Sequence, residues 1–229
     1  MKLLEEVNLL KEIIKIYSPS EKEKEISDFL FNFLKGKNFD VEQDNEGNVI
    51  SKIGSGSPCI LLTSHMDTVT GEIPLRIEGK RIYGRGACDA KSPLAALLSV
   101  FVRLKNKKFK GTVIFAGVTG EEAPNSRGTI ELMKKIKAEY IFLGEPGSVD
   151  GITIGYKGRL LLKLLFKGKA SHSSAEEENP IQKFIDFSNK VSNLHKGNNL
   201  FESLNYSPTS IFAESESNVV PSECKVTID

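Results

Sequence analysis

A histidine and a carboxylate stand two positions apart at the end of an apolar run, Ile60-Leu61-Leu62-Thr63-Ser64-His65-Met66-Asp67. Because an extended chain repeats every two residues, His65 and Asp67 project from the same side where the strand stops. Other acids close short apolar runs in the same way: Glu121 and Glu122 follow residues 112–118, and Glu145 follows residues 140–143. Asp89 lies in a loop, Gly84-Arg85-Gly86-Ala87-Cys88-Asp89, just ahead of a predicted helix. One imidazole and several carboxylates meeting in a single crevice would carry a large negative charge, and like carboxylates at close range cannot all stay ionised. Divalent cations resolve that conflict. Two ions about 3.5–4 Å apart, bridged by a carboxylate, are a common device for activating water in hydrolases.

The elements that must position these groups read as alternating helices and strands. Leu3, Val7, Leu10, Ile14 and Tyr17 recur at helical spacing, which predicts a helix over residues 2–17 ended by Ser18-Pro19. Ser20 and Glu23 form the Ser-x-x-Glu pattern of a capping box, and Ile26, Phe29, Leu30, Phe33 and Leu34 give the next helix its buried face before Gly36 stops it. Val41 and residues 49–53 are predicted strands joined by a turn at Asn45-Glu46-Gly47-Asn48. Residues 54–58 form a turn and not a phosphate loop, since no Gly-Lys-Ser/Thr follows. Gly84 and Gly86 open like a dinucleotide fingerprint, but Asp89 takes the place of the third glycine, where an acid disfavours a pyrophosphate. Ser92 as N-cap and Pro93 as first helical residue start a helix with Leu94, Leu97, Leu98, Phe101 and Leu104 on its core stripe, and another helix begins near Gly128. This alternation predicts an α/β fold, a mostly parallel sheet flanked by helices, whose ligands collect beyond the carboxyl ends of the strands.

Beyond Glu145 the pattern changes. Over residues 156–168 the apolar Tyr156, Leu160, Leu162, Leu164 and Phe166 alternate with Lys157, Arg159, Lys163 and Lys167, the period of an antiparallel strand with one wet face. His172 follows in Ala170-Ser171-His172-Ser173-Ser174, then a helix carrying Ile181, Phe184, Ile185 and Val191, then strands near residues 209–213 and 224–229. A boundary near residues 151–155 divides the chain into domains 1–153 and 154–229, the second an α+β unit built on an antiparallel sheet. His195, at a predicted helix end, reads as a residue compensating the helix dipole, not as a ligand.

Composition excludes several classes of function. With 31 Lys+Arg against 30 Asp+Glu over 229 residues, the formal charge of +1 argues against bulk affinity for nucleic acid or an anionic membrane. Cys59, Cys88 and Cys224 are odd in number and lack paired spacing, so neither a disulfide framework nor a cysteine zinc knuckle is indicated and a reducing cytoplasm is the expected home. The charged N-terminus does not read as a signal peptide, and no apolar run is long enough to span a bilayer.

Four motifs point to a known family. Ser64-His65-Met66-Asp67-Thr68-Val69, Gly84-Arg85-Gly86-Ala87-Cys88-Asp89-Ala90-Lys91, Thr119-Gly120-Glu121-Glu122 and Gly144-Glu145-Pro146 occur in the order and rough spacing of the dinuclear zinc amidohydrolases. The chain resembles that metallopeptidase-like family, which includes carboxypeptidase G, acetylornithine deacetylase and succinyl-diaminopimelate desuccinylase, over nearly its whole length. Residues 83–93 and Asn218-Val219-Val220-Pro221 are most similar to the branch that releases lysine or ornithine from an amino-group carrier protein in lysine and arginine biosynthesis.

The resemblance implies a catalytic domain followed by an incomplete lid/dimerisation domain. It implies that His65, Asp89 and Glu145 bind one metal, that Asp89 bridges to a second held with Glu122, and that a complete site carries two Zn(2+) or Co(2+) ions. Asp67 is then expected to hydrogen-bond the His65 imidazole, and Glu121 to act as general base, taking a proton from the attacking water and passing it to the leaving amine. His172 corresponds to a lid histidine that stabilises the oxyanion, often across a dimer interface. The peptide bond after Asp89 is expected to be cis. Family members run on to a late histidine ligand of the second metal, whereas the histidines here are His65, His172 and His195. The second site therefore lacks a protein ligand, and the chain is expected to be C-terminally incomplete, to favour the His65, Asp89 and Glu145 metal, and to show little or no turnover. Expected partners are an acidic carrier protein or a small N-acyl amino acid, with a homodimer when complete and no nucleic acid or membrane; the face of Lys157, Arg159, Lys163 and Lys167 reads first as a solvated edge and second as a dock for such a carrier. Acetylornithine deacetylase, succinyl-diaminopimelate desuccinylase, dipeptidase and an inactive carrier- or peptide-binding fragment are the competing readings.

Overall fold

Strand alternation between two faces organises the first part of the chain. The computed structural model describes residues 2–147, 150–175, 177–192, 194 and 201–229. Two compact units divide it, Met1–Ile152 and Thr153–Asp229. In the first, helices α1 (Lys2–Lys15) and α2 (Lys24–Gly36) precede the antiparallel pair β1 (Val41–Gln43) and β2 (Val49–Ser55). Then come β3 (Cys59–His65), a small hairpin of β4 (Arg76–Glu78) and β5 (Arg81–Tyr83), and helix α3 (Lys91–Leu104). Strand β6 (Gly111–Val118), helix α4 (Arg127–Lys135) and strand β7 (Tyr140–Leu143) complete the unit. The hairpin was not anticipated from the sequence.

The five-stranded sheet has the order β1-β2-β6-β3-β7. β6, β3 and β7 lie parallel, β2 runs antiparallel to β6, and β1 antiparallel to β2, so all strands but β2 share one direction. Odd and even residues part cleanly. Val49, Leu62, Val113 and Phe115 meet Leu9, Ile13, Ile26, Leu30, Leu94, Leu98 and Phe101 of α1, α2 and α3 on one face. Ile50, Leu61, Ile114, Ala116 and Val118 meet Leu132 of α4 and Ile136 on the other. β1 and β7 are the edges, and Tyr140, Ile141, Phe142 and Leu143 of β7 are exposed.

Two helix starts differ from expectation. α2 begins at Lys24 with Glu23 at the N-cap position and no side-chain cap bond, so the capping box does not form. α3 begins at Lys91, not after Ser92, with Ala90 at the N-cap position. Pro93 is tolerated in the first turn because the N–H it lacks has no helical partner there. The Asn45-Glu46-Gly47-Asn48 turn forms as expected, with Asp44 Oδ1 accepting the N–H groups of Glu46 and Asn48 at 2.9 and 3.0 Å.

The second unit is α+β. Its antiparallel sheet runs β10 (Pro208–Phe212), β12 (Glu223–Ile228), β8 (Leu162–Lys167), with β9 (Ser171–His172) paired to β11 (Val219–Val220) and helix α5 (Pro180–Ser192) over the sheet. The strand expected over residues 156–168 is shorter. The ladder against β12 is limited to Leu162–Lys167, whereas Tyr156 and Leu160 are exposed. The three cysteines are free. Among the described residues no helix is long and apolar enough to cross a membrane.

Candidate metal centre

Since β6, β3 and β7 are parallel neighbours, their carboxyl ends open on one rim of the sheet. His65 ends β3, the Thr119-Gly120-Glu121-Glu122 segment follows β6, Gly144-Glu145 follows β7, and the loop ahead of α3 brings in Asp89. His65 Nε2 lies 2.9 Å from Asp89 Oδ1 and 3.7 Å from Glu145 Oε2. One donor atom from each of His65, Asp89 and Glu145 falls within 4.8 Å of the others, and the same holds for His65, Glu121 and Glu122. The rim therefore gathers His65, Asp67, Asp89, Glu121, Glu122 and Glu145. It is open on one side, where the Asp89 side chain is 56% exposed.

Local contacts explain how each group is presented. Ser64 Oγ donates to the Gly144 carbonyl at 2.7 Å and the Gly144 N–H to the Thr63 carbonyl at 2.7 Å, which fixes the turn carrying Glu145. The Asp89-Ala90 peptide is cis, as the resemblance implies. Two residues on, the Lys91 side chain is fully buried, its stem packed where a Cβ on Gly86 would sit and its Nζ donating to the Ile16 carbonyl. Burial pushes the Lys91 ammonium down to about 8. That buried stem draws residue 91 into the helix and accounts for the early start of α3.

The imidazole is oriented by a main-chain atom. His65 Nδ1 lies 2.9 Å from the Asp67 carbonyl, which can only accept, so in the neutral ring the proton sits on Nδ1 and the Nε2 lone pair faces Asp89 and Glu145. The expected bond from the Asp67 carboxylate is replaced by this one. Asp67 Oδ1 stands 3.6 Å from Nδ1, too far for a hydrogen bond. The Asp67 carboxylate instead accepts from Ser20 Oγ at 2.7 Å and from the main-chain N–H groups of Glu121 and Glu122 at 3.0 and 3.1 Å.

Electrostatics match a cation-binding cluster. Burial by itself would lower the His65 pKa, but the neighbouring Asp67 and Glu145 carboxylates push it up to about 11. Burial also works against the Asp67 charge, yet His65, Ser20 and the two N–H groups hold that carboxyl below its ordinary range. Burial raises Glu121, with Glu145, Glu122 and Asp67 adding to the effect, and raises Glu122, with repulsion from Asp89 next in weight. The donor set is one imidazole nitrogen with several carboxylate oxygens, and its charge is unbalanced without a cation. Both properties fit a hard or borderline divalent ion such as zinc or cobalt.

His172 belongs to the second unit, on β9. Its Nδ1 accepts the Ser174 N–H at 3.3 Å and lies 2.8 Å from Ser174 Oγ, which leaves the ring proton of the neutral form on Nε2. The Asn218-Val219-Val220-Pro221 segment supplies its partner strand, with Val219 opposite His172. His195 lies outside the described residues. Of the cationic face expected from alternation, Arg159 is paired with Asp229 and Lys157 donates to the Ser203 carbonyl. Sequence reasoning missed Ser20, Glu23 and Asn48 as groups that hold the site. The signal was present as a Ser-x-x-Glu spacing but was assigned to a helix cap.

Residues 61–228 match the sequence pattern of Peptidase family M20/M25/M40. The chain belongs to this family. Among its curated M20-type relatives, a LysW-lysine/LysW-ornithine hydrolase of Sulfurisphaera tokodaii is 38% identical over 222 residues, 96% of this chain and 61% of that protein. A protein of Pyrococcus abyssi carrying the same name as putative is 41% identical over 170 residues, 74% of this chain and 48% of its own. This M20 chain thus spans about half to two thirds of the length of those relatives. The fold is that of a Staphylococcus aureus tripeptidase, with TM-score 0.74 and 23% identity over 97% of this chain and 64% of that one. It is equally that of a dinuclear metal binding M20 peptidase of Bacillus subtilis, with TM-score 0.68 and 17% identity over 99% of this chain and 63% of that one.

Proposed function

We propose that this M20 chain carries the metal-binding half of a hydrolase that cleaves a linear amide and releases lysine or ornithine from an amino-group carrier protein of the LysW type. The observation that carries the reading is the convergence of His65, Asp89 and Glu145 within 4.8 Å at the carboxyl ends of parallel strands, beside a second group of His65, Glu121 and Glu122. The substrate follows from the names of the relatives, which are LysW-lysine/LysW-ornithine hydrolases.

The proposed division of labour keeps His65, Asp89 and Glu145 on one ion and Asp89 and Glu122 on the second, each zinc or cobalt. Such ions polarise the scissile carbonyl and lower the pKa of a water molecule. Glu121, whose pKa burial raises, would be the general base that takes a proton from the attacking water and returns it to the departing amine. Asp67 holds the loop bearing both glutamates. We assign His172, with its ring proton on Nε2, as the donor to the developing oxyanion. Domains 1–153 and 154–229 then serve as catalytic and lid/dimerisation parts of a cytoplasmic homodimer.

Elemental analysis after dialysis against zinc or cobalt tests the site. Stoichiometric metal in the wild type and its loss in Glu145→Ala is the expected result, and a metal-free wild type would overturn it. Because the chain is expected to turn over little, calorimetric binding of the carrier–lysine conjugate to the metal-loaded chain, compared with N-acetylornithine and N-succinyl-diaminopimelate, tests the substrate: tighter binding of the conjugate is expected, and equal or weaker binding would overturn the carrier reading.

A further inference from the structure

We propose that Glu23 is a positioning residue for Glu121 and Glu122, an inference that rests on the reading of their carboxylates as part of the metal centre. Successive main-chain N–H groups after β6 turn away from the sheet and end on buried side chains of other elements. The Thr119 N–H donates to Asn48 Oδ1 at 3.0 Å and the Gly120 N–H to Glu23 Oε1 at 3.0 Å. The next two, from Glu121 and Glu122, reach Asp67. All three acceptors are buried, with Glu23 at 4% exposure and Asn48 and Asp67 at 0%.

Glu23 does more than accept one bond. Its other oxygen, Oε2, pairs with Arg127 at 3.3 Å, and Arg127 is the first residue of α4. The Arg127 side chain in turn lies against Gly120, where a Cβ would stand 3.0 Å from Arg127 Cγ. One carboxylate therefore grips both ends of the loop that starts at Gly120 and closes at Arg127, and the two glutamates sit between the grips.

The placement has no local justification. Glu23 occupies the N-cap position of α2 yet makes no cap bond there. An exposed serine or aspartate would cap the helix without the desolvation that burying a carboxylate incurs, a cost of several kcal/mol unless bonds replace the lost water. The bonds that replace it all come from the Gly120–Arg127 loop. The clustered charges of Glu121, Glu122, Asp67 and Glu145 repel one another, and the rigid backbone frame holds two of them in place against that repulsion.

Two substitutions at Glu23 separate reach from charge. Glu23→Asp keeps the charge and withdraws it from the Gly120 N–H, whereas Glu23→Gln keeps a carbonyl at the same reach. In the metal-free protein, amide exchange at Gly120, Glu121 and Glu122 is expected to quicken about tenfold in Glu23→Asp and to stay within about threefold of wild type in Glu23→Gln. Exchange of the β6 amides serves as the check on the fold. In a cobalt titration followed by visible absorption, Glu23→Asp is expected to weaken one of two binding steps about tenfold, the step that Glu122→Ala abolishes, with Glu23→Gln close to wild type. Unchanged exchange in Glu23→Asp, or faster exchange with unaltered cobalt binding, overturns the role of Glu23. The reverse order of the two variants would place the hold at the Arg127 pair and overturn the Gly120 bond as its source. Absence of cobalt binding by the wild type would sink the metal reading, while the exchange measurement still decides whether Glu23 holds the loop.

Discussion

The carboxylate of Asp67 accepts the main-chain N–H of Glu121 at 3.0 Å. The acid two positions after the histidine is thus committed to the loop of the proposed base, and the imidazole takes the Asp67 carbonyl instead. Asp67→Ala leaves two N–H groups and the Ser20 hydroxyl, all half-buried, without the fully buried carboxylate that accepts from them. The expected loss is about 3 kcal/mol in urea unfolding of the metal-free protein, and a change below about 0.5 kcal/mol, the scale of an ordinary surface substitution, would contradict the arrangement.

Metal binding at neutral pH is expected to expel a proton. With its pKa pushed up to about 11, His65 is an imidazolium at pH 7 in the metal-free protein, and a ligating ring must be neutral. Calorimetric titration with zinc in buffers of different ionisation heat should report release of about one proton for the first ion. No release would show that His65 is not a ligand.

Stability of the metal-free protein should depend on pH with a definite sign. His65 binds its proton more tightly folded than unfolded, so its contribution is complete below 6.5 and is lost as pH rises toward about 11. Lys91 acts in the opposite sense: between about 8 and 10.5 the unfolded chain holds a proton that the fold does not, so stability gains as pH rises there. The urea midpoint should therefore fall between pH 6.5 and 8 and flatten above 8, and Lys91→Met should restore the fall. A rising midpoint over the first interval would refute the His65 assignment.

Gly128→Ala offers a steric test of the loop frame. A Cβ there would stand 2.3 Å from the Thr119 carbonyl oxygen and 2.5 Å from Asn48 Oδ1. The strand end must shift, and zinc affinity is expected to drop about tenfold, as for loss of an outer support of a metal ligand. Gly151→Ala, which meets nothing within 4 Å, should leave affinity unchanged.

Phe101→Ala probes the core without touching the rim. The ring is fully buried between Phe39 at 5.1 Å and Phe115 at 5.8 Å. Loss of about 3–5 kcal/mol is expected from unfolding curves, with metal stoichiometry of the folded fraction unaltered.

Local pattern made much of this protein legible. Strand periodicity in β2, β3 and β6 sorts residues to two faces because side chains alternate on an extended chain whatever its partners, so the core follows from spacing, whereas the shared rim of His65, Glu121, Glu122 and Glu145 needs the parallel pairing of β6, β3 and β7. Where spacing has two readings, only the folded chain chose. Ser20 and Glu23 fit a helix cap, yet their partners are Asp67 and Gly120, 47 and 97 residues away. Residues 156–161 alternate like a strand but join no β-ladder, because alternation alone does not supply a strand alongside to bond with. The imidazole's partner, the buried Lys91 and the frame of three acceptor side chains around Glu121 were likewise decided by tertiary structure. Residue types and local periods name the groups that can do chemistry, but a hydrogen bond joins two atoms in space, and the distance between them depends on every element packed in between.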